Sequence, residues 1–333
     1  MKHLLFFILS GCLILASCSG KDPVYWYNSE TGTGSAGSNV PYYPEKPGSG
    51  SSTNPTDGYA PAGYNLVWSD EFTSATQLYS DWYFESGGTG WGNGELQYYC
   101  PAGTFDATGQ KTAALTSDGT LKITAYKIAD QYKAYTNGKS YISTRMNTNK
   151  GWMHGYIEMR AKLPLSKGMW PAFWMLLKDG PYWVLDPSKT GAEIDIMEYV
   201  VNPPDNPKDV IYFSAHSYNA TPEGAEGKNS GYVDPQTHVK YAYCQWVKIN
   251  KPEEWHCYGM EWTHEFIRGL LDGVEYFYVP NPKPNEVDLA TWPFDQVFNL
   301  KLNLAVGGSW GGEPAATFTE DSYEIDWVRV FQK

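Results

Sequence analysis

The sequence predicts an all-β fold, a two-sheet antiparallel β-sandwich, on three observations. Short segments in which apolar and polar residues alternate recur from Tyr59 to the end of the chain, and a period of two places successive side chains on opposite faces of a sheet. Asp-Gly pairs punctuate these segments as hairpin turns would. No stretch combines sustained helical periodicity with caps, so the helices that a parallel sheet requires are missing. For a domain running over residues 59–333, long strands in a jelly roll are the economical arrangement.

Taken in order, residues 1–18 stand apart from this domain. Lys2 and His3 precede an apolar run from Leu4 to Ala16, too short to span a bilayer as a mature helix. It ends in Leu15-Ala16-Ser17-Cys18, which resembles a bacterial lipobox. That resemblance implies a lipoprotein signal with lipidation at Cys18 and export across the inner membrane. The protein would then sit at the outer membrane or cell surface of a Gram-negative bacterium, meeting membrane only through its anchor. An ordinary secretion signal that contains a cysteine is the alternative. Residues 19–58 are rich in Gly, Ser, Pro and Thr, a linker composition.

Within 59–333 the strands follow one another. SDGTLKITAYK turns at Asp118-Gly119 and then alternates through Leu121, Ile123 and Ala125. GYIEMRAKLP sets Tyr156, Glu158 and Arg160 against Ile157, Met159 and Ala161. RGLLDGVEYFYV turns at Asp272-Gly273, and VFNLKLNLAVGG and SYEIDWVRVFQ close the chain. Cys100, Cys244 and Cys257 lie beyond the signal; three is odd, their spacing fits no zinc motif, and no bridge can be assigned. The net charge of −12 and the lack of a basic run argue against nucleic acid and anionic lipid surfaces. Aromatic residues make up 16% of the chain, with 14 Trp and 26 Tyr. Such rings suit the apolar C–H faces of sugars, although all-β domains also use them in strands.

The densest chemistry lies in GAEIDIMEYV, residues 191–200, where Glu193, Asp195 and Glu198 interrupt an apolar strand. Glu193 and Asp195 alternate onto one face, but Glu198 falls one residue out of count. A β-bulge at Ile196-Met197, with Met197 displaced, would return it to that face. Two facing carboxylates, one ionised and one protonated, are what glycosidic cleavage needs, at about 5–5.5 Å in a retaining enzyme. Five residues of flat strand span about 16 Å, so backbone and side chains must both help. Asp195 between them would hydrogen-bond the nucleophile, and crowded acids raise one another's pKa. A calcium site and a solvated structural face are the other readings of the trio.

Glu-Ile-Asp-Ile-Met-Glu resembles the active-site signature of glycoside hydrolase family 16, in its bulged, laminarinase-like form. LVWSDEF at 66–72, WGNGELQYY at 91–99, MWPAFWML at 169–176, NLAVGGSWGG at 303–312 and IDWVRVFQ at 325–332 resemble further family segments in the same order. The resemblance implies a jelly roll with a concave substrate cleft. It also implies retaining cleavage of internal β-linkages without a catalytic cofactor: Glu193 as nucleophile, Asp195 as its helper and Glu198 as general acid/base. Alternation in MWPAFWML puts Trp170 and Trp174 on one face as a stacking platform for pyranose rings. Asn93 of the WGNG turn is a candidate sugar contact, and Trp310, flanked by glycines, reads as an exposed loop aromatic reaching the ligand. The resemblance further suggests Arg145 as a substrate-side arginine and His216 as a histidine facing the acid/base. It suggests a structural calcium on the convex side, held by Asp326 with Glu71 near it.

Two segments depart from a plain laminarinase: the long stretch between His216 and Trp255, and SWGGEPAAT at 309–317, where a Trp-Pro-Gly is usual. The expected substrate is a β-1,3 or mixed β-1,3/1,4-glucan polysaccharide or oligosaccharide, cut by a monomer. An endo-β-galactosidase acting on mucin-type or algal galactan glycans is the alternative, and a non-catalytic glycan-binding surface lipoprotein is a second one, opposed by the intact acid trio.

Overall fold

The closing strand Phe298–Val306 shows how the alternating pattern builds the protein. Leu300, Leu302 and Leu304 are buried in the main core, while Asn299, Lys301 and Asn303 line the other face. Burying each leucine contributes about 1.5–3 kcal/mol, so a slip of one residue would expose the whole apolar set. The computed structural model describes residues 58–180, 190–201, 209–217, 232–233, 240–241 and 244–333. The expected signal at 1–18, all but the last residue of the linker at 19–58, and most of the 217–254 segment lie outside the described residues.

Two large sheets form the sandwich. The seven-stranded sheet runs, edge to edge, Cys244–Lys248, Val210–Ser217, Ala192–Tyr199, Met169–Leu177, Phe298–Val306, Arg145–Thr148 and Trp82–Phe84. The ten-stranded sheet is centred on Gly155–Lys162 and the long strand Glu320–Gln332, which also pairs with Leu121–Lys127 and Asn65–Asp70. Between the sheets lies one continuous core that includes Phe173, Ile194, Ile196, Met197, Phe213, Met260 and Val328. This is the jelly-roll sandwich expected from the alternation, and the Asp272-Gly273 turn has positive φ at both residues, 51° and 75°, as a two-residue hairpin requires.

Three details differ from expectation. Gln97–Tyr99 pairs in parallel with Tyr141–Ser143, so the sandwich is not wholly antiparallel. A seven-residue helix, Ala75–Asp81, follows the first strand, with the Ser74 hydroxyl accepting from the Gln77 amide at 3.3 Å. Its cap was legible in TSATQL, but only Leu78 is buried on it, too little apolar periodicity to register as a helix. The polar face of Gly155–Lys162 is also more covered than alternation implies. Glu158 is buried there because the Tyr59 amide donates to both its carboxylate oxygens, at 3.1 and 2.9 Å, and the Tyr156 hydroxyl adds a third bond.

Candidate active site

The outer face of the seven-stranded sheet is ordered in rows of directly opposed residues. One row runs His216, Glu193, Leu176 and Asn299. The next runs Ser214, Asp195, Trp174, Lys301 and Asn147, and the third Tyr212, Glu198, Ala172, Asn303 and Arg145. Every neighbouring strand advances two residues per row. The strand Ala192–Tyr199 advances two and then three, because the register shifts between Asp195 and Glu198.

That shift is the bulge the sequence demands. Ile196 and Met197 are both fully buried in the core, consecutive residues sharing a face that alternation would have split. Met197 keeps a partner in Phe173, so Ile196 is the residue left without one on that side. The displaced residue is therefore Ile196 and not Met197. The bulge compresses the backbone path from five strand residues, about 16 Å, to the equivalent of four, about 13 Å. The two glutamate side chains reach across the remainder.

Asp195, only 2% exposed, sits between the two glutamates and shares a hydrogen bond with Glu193. On its other side His216 Nε2 stands 3.2 Å from Asp195 Oδ2. Trp170 Nε1 donates to Glu198 Oε1 at 3.0 Å. Burial, and then Asp195, push Glu193 up to about 8, against the downward pull of His216, Arg145 and Lys301. Burial, Asp195 and Glu193 together drive Glu198 well above the usual carboxylate range, and His216 and the Trp170 hydrogen bond only partly offset them. Asp195 is raised by burial and drawn back by its bond to Glu193. The environment thus separates the two glutamates: Glu198 holds its proton more firmly, while Glu193 is the one the cations favour as an anion.

Among the described residues, Glu193, Asp195 and His216 are the group whose ligand atoms lie close enough, within 4.8 Å, to hold a metal. The Glu193–Asp195 hydrogen bond, the approach of His216 to Asp195 and their place beside Glu198 account for the cluster without one. The two carboxylates expected to hold calcium are each engaged by an arginine. Asp326 is engaged by Arg160, and Glu71 receives two bonds from Arg329, at 2.9 and 2.8 Å. With a guanidinium already on each carboxylate, the donor set does not fit a calcium ion.

The other expected contacts gather around the rows. Trp174 is half-buried, and its Nε1 donates to Asn303 Oδ1 at 2.7 Å. Arg145 is clasped between the Trp91 and Trp174 rings, at 4.9 and 4.8 Å, with Nε 3.0 Å from Glu85 Oε2. It therefore braces Trp174 rather than standing free on the substrate side. His216 opposes Glu193 and stands beside Asp195, and it also acts on the acid/base Glu198 as a neighbouring charge. Asn93 donates to Glu95 Oε1 at 3.3 Å, and its Oδ1 is buried with no partner among the described residues.

Trp310 corrects the expectation of an exposed loop aromatic. It is 9% exposed, and its ring packs edge-on against Trp170 at 5.0 Å and Tyr212 at 4.8 Å. With Val200, Val210 and Ala305 these rings form a second apolar cluster on the site's own face. Trp170 belongs to that cluster, which makes it a wall and a hydrogen-bond donor more than an open stacking plate.

Sequence reasoning passed over Glu85, Trp91, Asn147, Tyr212, Lys301 and Asn303. A signal existed for two of them. In FNLKLNLAV the polar residues 299, 301 and 303 alternate against leucines, so Lys301 and Asn303 were bound to share the face of the acids. Glu85 and Trp91 come from chain segments whose approach is purely tertiary and leaves no local pattern.

Comparison with known proteins agrees with this geometry. The family model described as glycosyl hydrolases family 16 matches residues 102–329. A β-glucanase of Rhodothermus marinus is 34% identical over 283 residues, covering 81% of this chain and 85% of the relative. A glucan endo-1,3-β-glucosidase of Cryptopygus antarcticus is 32% identical over 284 residues, covering 81% of this chain and 93% of the relative. The X-ray structure of the laminarinase from Rhodothermus marinus superposes with a TM-score of 0.63 at 32% identity, covering 81% of this chain and 97% of that one.

Proposed function

The chain belongs to family 16 of the glycosyl hydrolases, and from that premise we propose that it is a retaining endo-β-glucanase cutting internal linkages of β-1,3 or mixed β-1,3/1,4-glucan. The observation that carries this reading is the bulged trio, with Glu193, Asp195 and Glu198 on one face and Trp170 bonded to Glu198. In the first step a Glu193 oxygen forms a bond to the anomeric carbon. The glycosidic C–O bond breaks, and the Glu198 proton passes to the leaving oxygen. Asp195, bonded to Glu193 and facing His216, fixes the attacking oxygen. In the second step Glu198 takes a proton from water, the water oxygen bonds to the anomeric carbon, and Glu193 is released as a carboxylate. No cofactor enters either step.

The test is the product profile over a panel of laminarin, lichenan, agarose and keratan sulfate, with Glu193→Gln and Glu198→Gln as controls. Internal cleavage of laminarin or lichenan, abolished in both variants while circular dichroism is unchanged, is the expected result. Cleavage of the galactose-containing glycans alone would favour the endo-β-galactosidase reading, which the departure at SWGGEPAAT motivates. Full activity in either variant would refute the mechanism. We also propose that the enzyme acts as a monomer tethered by a lipid on Cys18, on the strength of the lipobox-like motif and the Gly/Ser/Pro-rich stretch that follows it. Incorporation of labelled palmitate that is lost in Cys18→Ala tests the tether.

A further inference from the structure

Lys301 stands in the middle row of the site face, between Trp174 and Asn147, and is 4% exposed. A lysine taken out of water is costly unless its surroundings repay it. Its ammonium donates to Glu85 Oε1 at 3.1 Å and to Asn147 Oδ1, and lies 5.5 Å from the Trp174 ring centre. The same Glu85 carboxylate accepts from Asn147 Nδ2 at 2.8 Å and pairs with Arg145 through its other oxygen at 3.0 Å. One carboxylate is thus shared by two cations. Arg145 alone would neutralise Glu85, and burial pushes Glu95, the other acid that Arg145 faces, toward its neutral form, so with Lys301 the cluster carries an excess of positive charge under cover.

Its counter-charge lies across the sheet. The strand of Lys301 is separated from the strand of Glu193 and Asp195 by Met169–Leu177 alone, a backbone distance of roughly 10 Å. Unit charges at such range still act strongly where water is excluded. The groups facing Glu193 are Asp195 and Glu198 on its own strand, His216 on the next, and Arg145 and Lys301 from the far side. Of these, Arg145 and Lys301 are the cations besides the histidine.

Resting on the proposed glycosidase reading, we propose that Lys301, locked in place by Glu85 and Asn147, is a positioning residue for the nucleophile: its charge favours ionisation of Glu193 over that of Glu198. It does not touch the sugar's reacting atoms and acts through Glu193. Burial lowers Lys301 itself to about 8, the value to which Glu193 is raised, so the lysine is charged over the range in which Glu193 begins to give up its proton.

The experiment compares Lys301→Met, Lys301→Arg and Glu85→Gln by the pH dependence of kcat/KM, whose acid limb reports the free enzyme's nucleophile. Lys301→Met moves the acid limb about one pH unit upward, giving about a tenfold loss below the limb and little above it. Lys301→Arg restores the limb. Glu85→Gln, which leaves the two cations unneutralised, moves it downward. A merely structural lysine predicts something else: every variant loses activity by the same factor at all pH values, with the limbs fixed, and that result overturns the inference. If the wild type cleaves no β-glucan, the proposed substrate fails and the inference is decided separately by thermal unfolding. Because Glu193 is raised in the folded state, stability falls as pH climbs from about 4.5 toward its folded pKa. In Lys301→Met that decline extends further upward; an unchanged decline would overturn the inference on its own.

Discussion

Replacing Trp170 by Phe isolates one hydrogen bond to the acid/base. The indole N–H donates to Glu198 Oε1 at 3.0 Å, and an N–H can only donate, so the bond stabilises the carboxylate and not the protonated acid. Hydrogen bonds to a charged partner contribute about 1.5–3 kcal/mol, and one pKa unit corresponds to about 1.36 kcal/mol. Glu198 is partly open to solvent, and water replaces some of the lost bond, which puts the effect at the lower end, about one unit. Glu198, already well above its ordinary range, rises further when the donor is removed. Since Glu198 must be protonated for the first step, the alkaline limb of kcat/KM should move up by about one pH unit. The phenyl ring keeps much of the edge-on packing against Trp310, so unfolding should change little. The assay is initial-rate reducing-sugar release from laminarin at low substrate across pH 4–10, with Trp170→Phe and wild type in parallel. An alkaline limb that stays in place, or moves down, would refute the assignment of Glu198 as the acid that Trp170 holds.

Three further outcomes follow from the charges described above. Glu193 is raised to about 8 by burial, so the folded protein holds a proton there that the unfolded chain has released above about 4.5. Stability therefore falls with rising pH between those values. Glu193→Gln should show a higher unfolding midpoint than wild type at pH 8 and a shallower decline between pH 5 and 8; parallel curves would contradict the buried position. On the opposite sheet, Glu71 and Asp326 are engaged by arginines, so a chelator should leave the unfolding midpoint unchanged. Glu71→Gln should cost under about 1 kcal/mol, its carboxylate being 40% exposed. A clear drop in the midpoint with chelator, restored by calcium, would show that a metal competes successfully for these groups.

What could be read in the sequence was whatever the sheet repeats locally. Leu121, Ile123 and Ala125 announced a buried strand face and are fully buried, and the miscount at Glu198 announced a bulge that exists. These signals survive because they follow from a backbone period of two. What could not be read depends on which strands become neighbours. Nothing near Arg145 shows that Trp91 and Trp174 will close on it from both sides. Nothing near Trp310 shows that its glycine-flanked loop folds inward onto Trp170 and Tyr212 instead of reaching outward. His216 was correctly placed on the face of the acids, but which acid it meets is a matter of register. Glu193 opposes it because the His216 end of the Val210–Ser217 strand pairs with the residues before the bulge and the other end with those after it.

The bulge also has a mechanical meaning. In a regular sheet, a strand can slide by two residues along its neighbours and keep its apolar face inward. The strand Ala192–Tyr199 cannot, because its two consecutive inward residues, Ile196 and Met197, are accommodated only where the register breaks opposite Phe173 and Phe213. Sliding by two would carry the doubled apolar step into a stretch that alternates and turn one of the pair outward, at a cost of about 1.5–3 kcal/mol. The irregularity works as a detent: it indexes Glu193, Asp195 and Glu198 against His216, Trp174 and Ala172 as the sheet assembles. The feature that aims the acids thereby also rules out the mispaired sheet in which they would be aimed at the wrong partners.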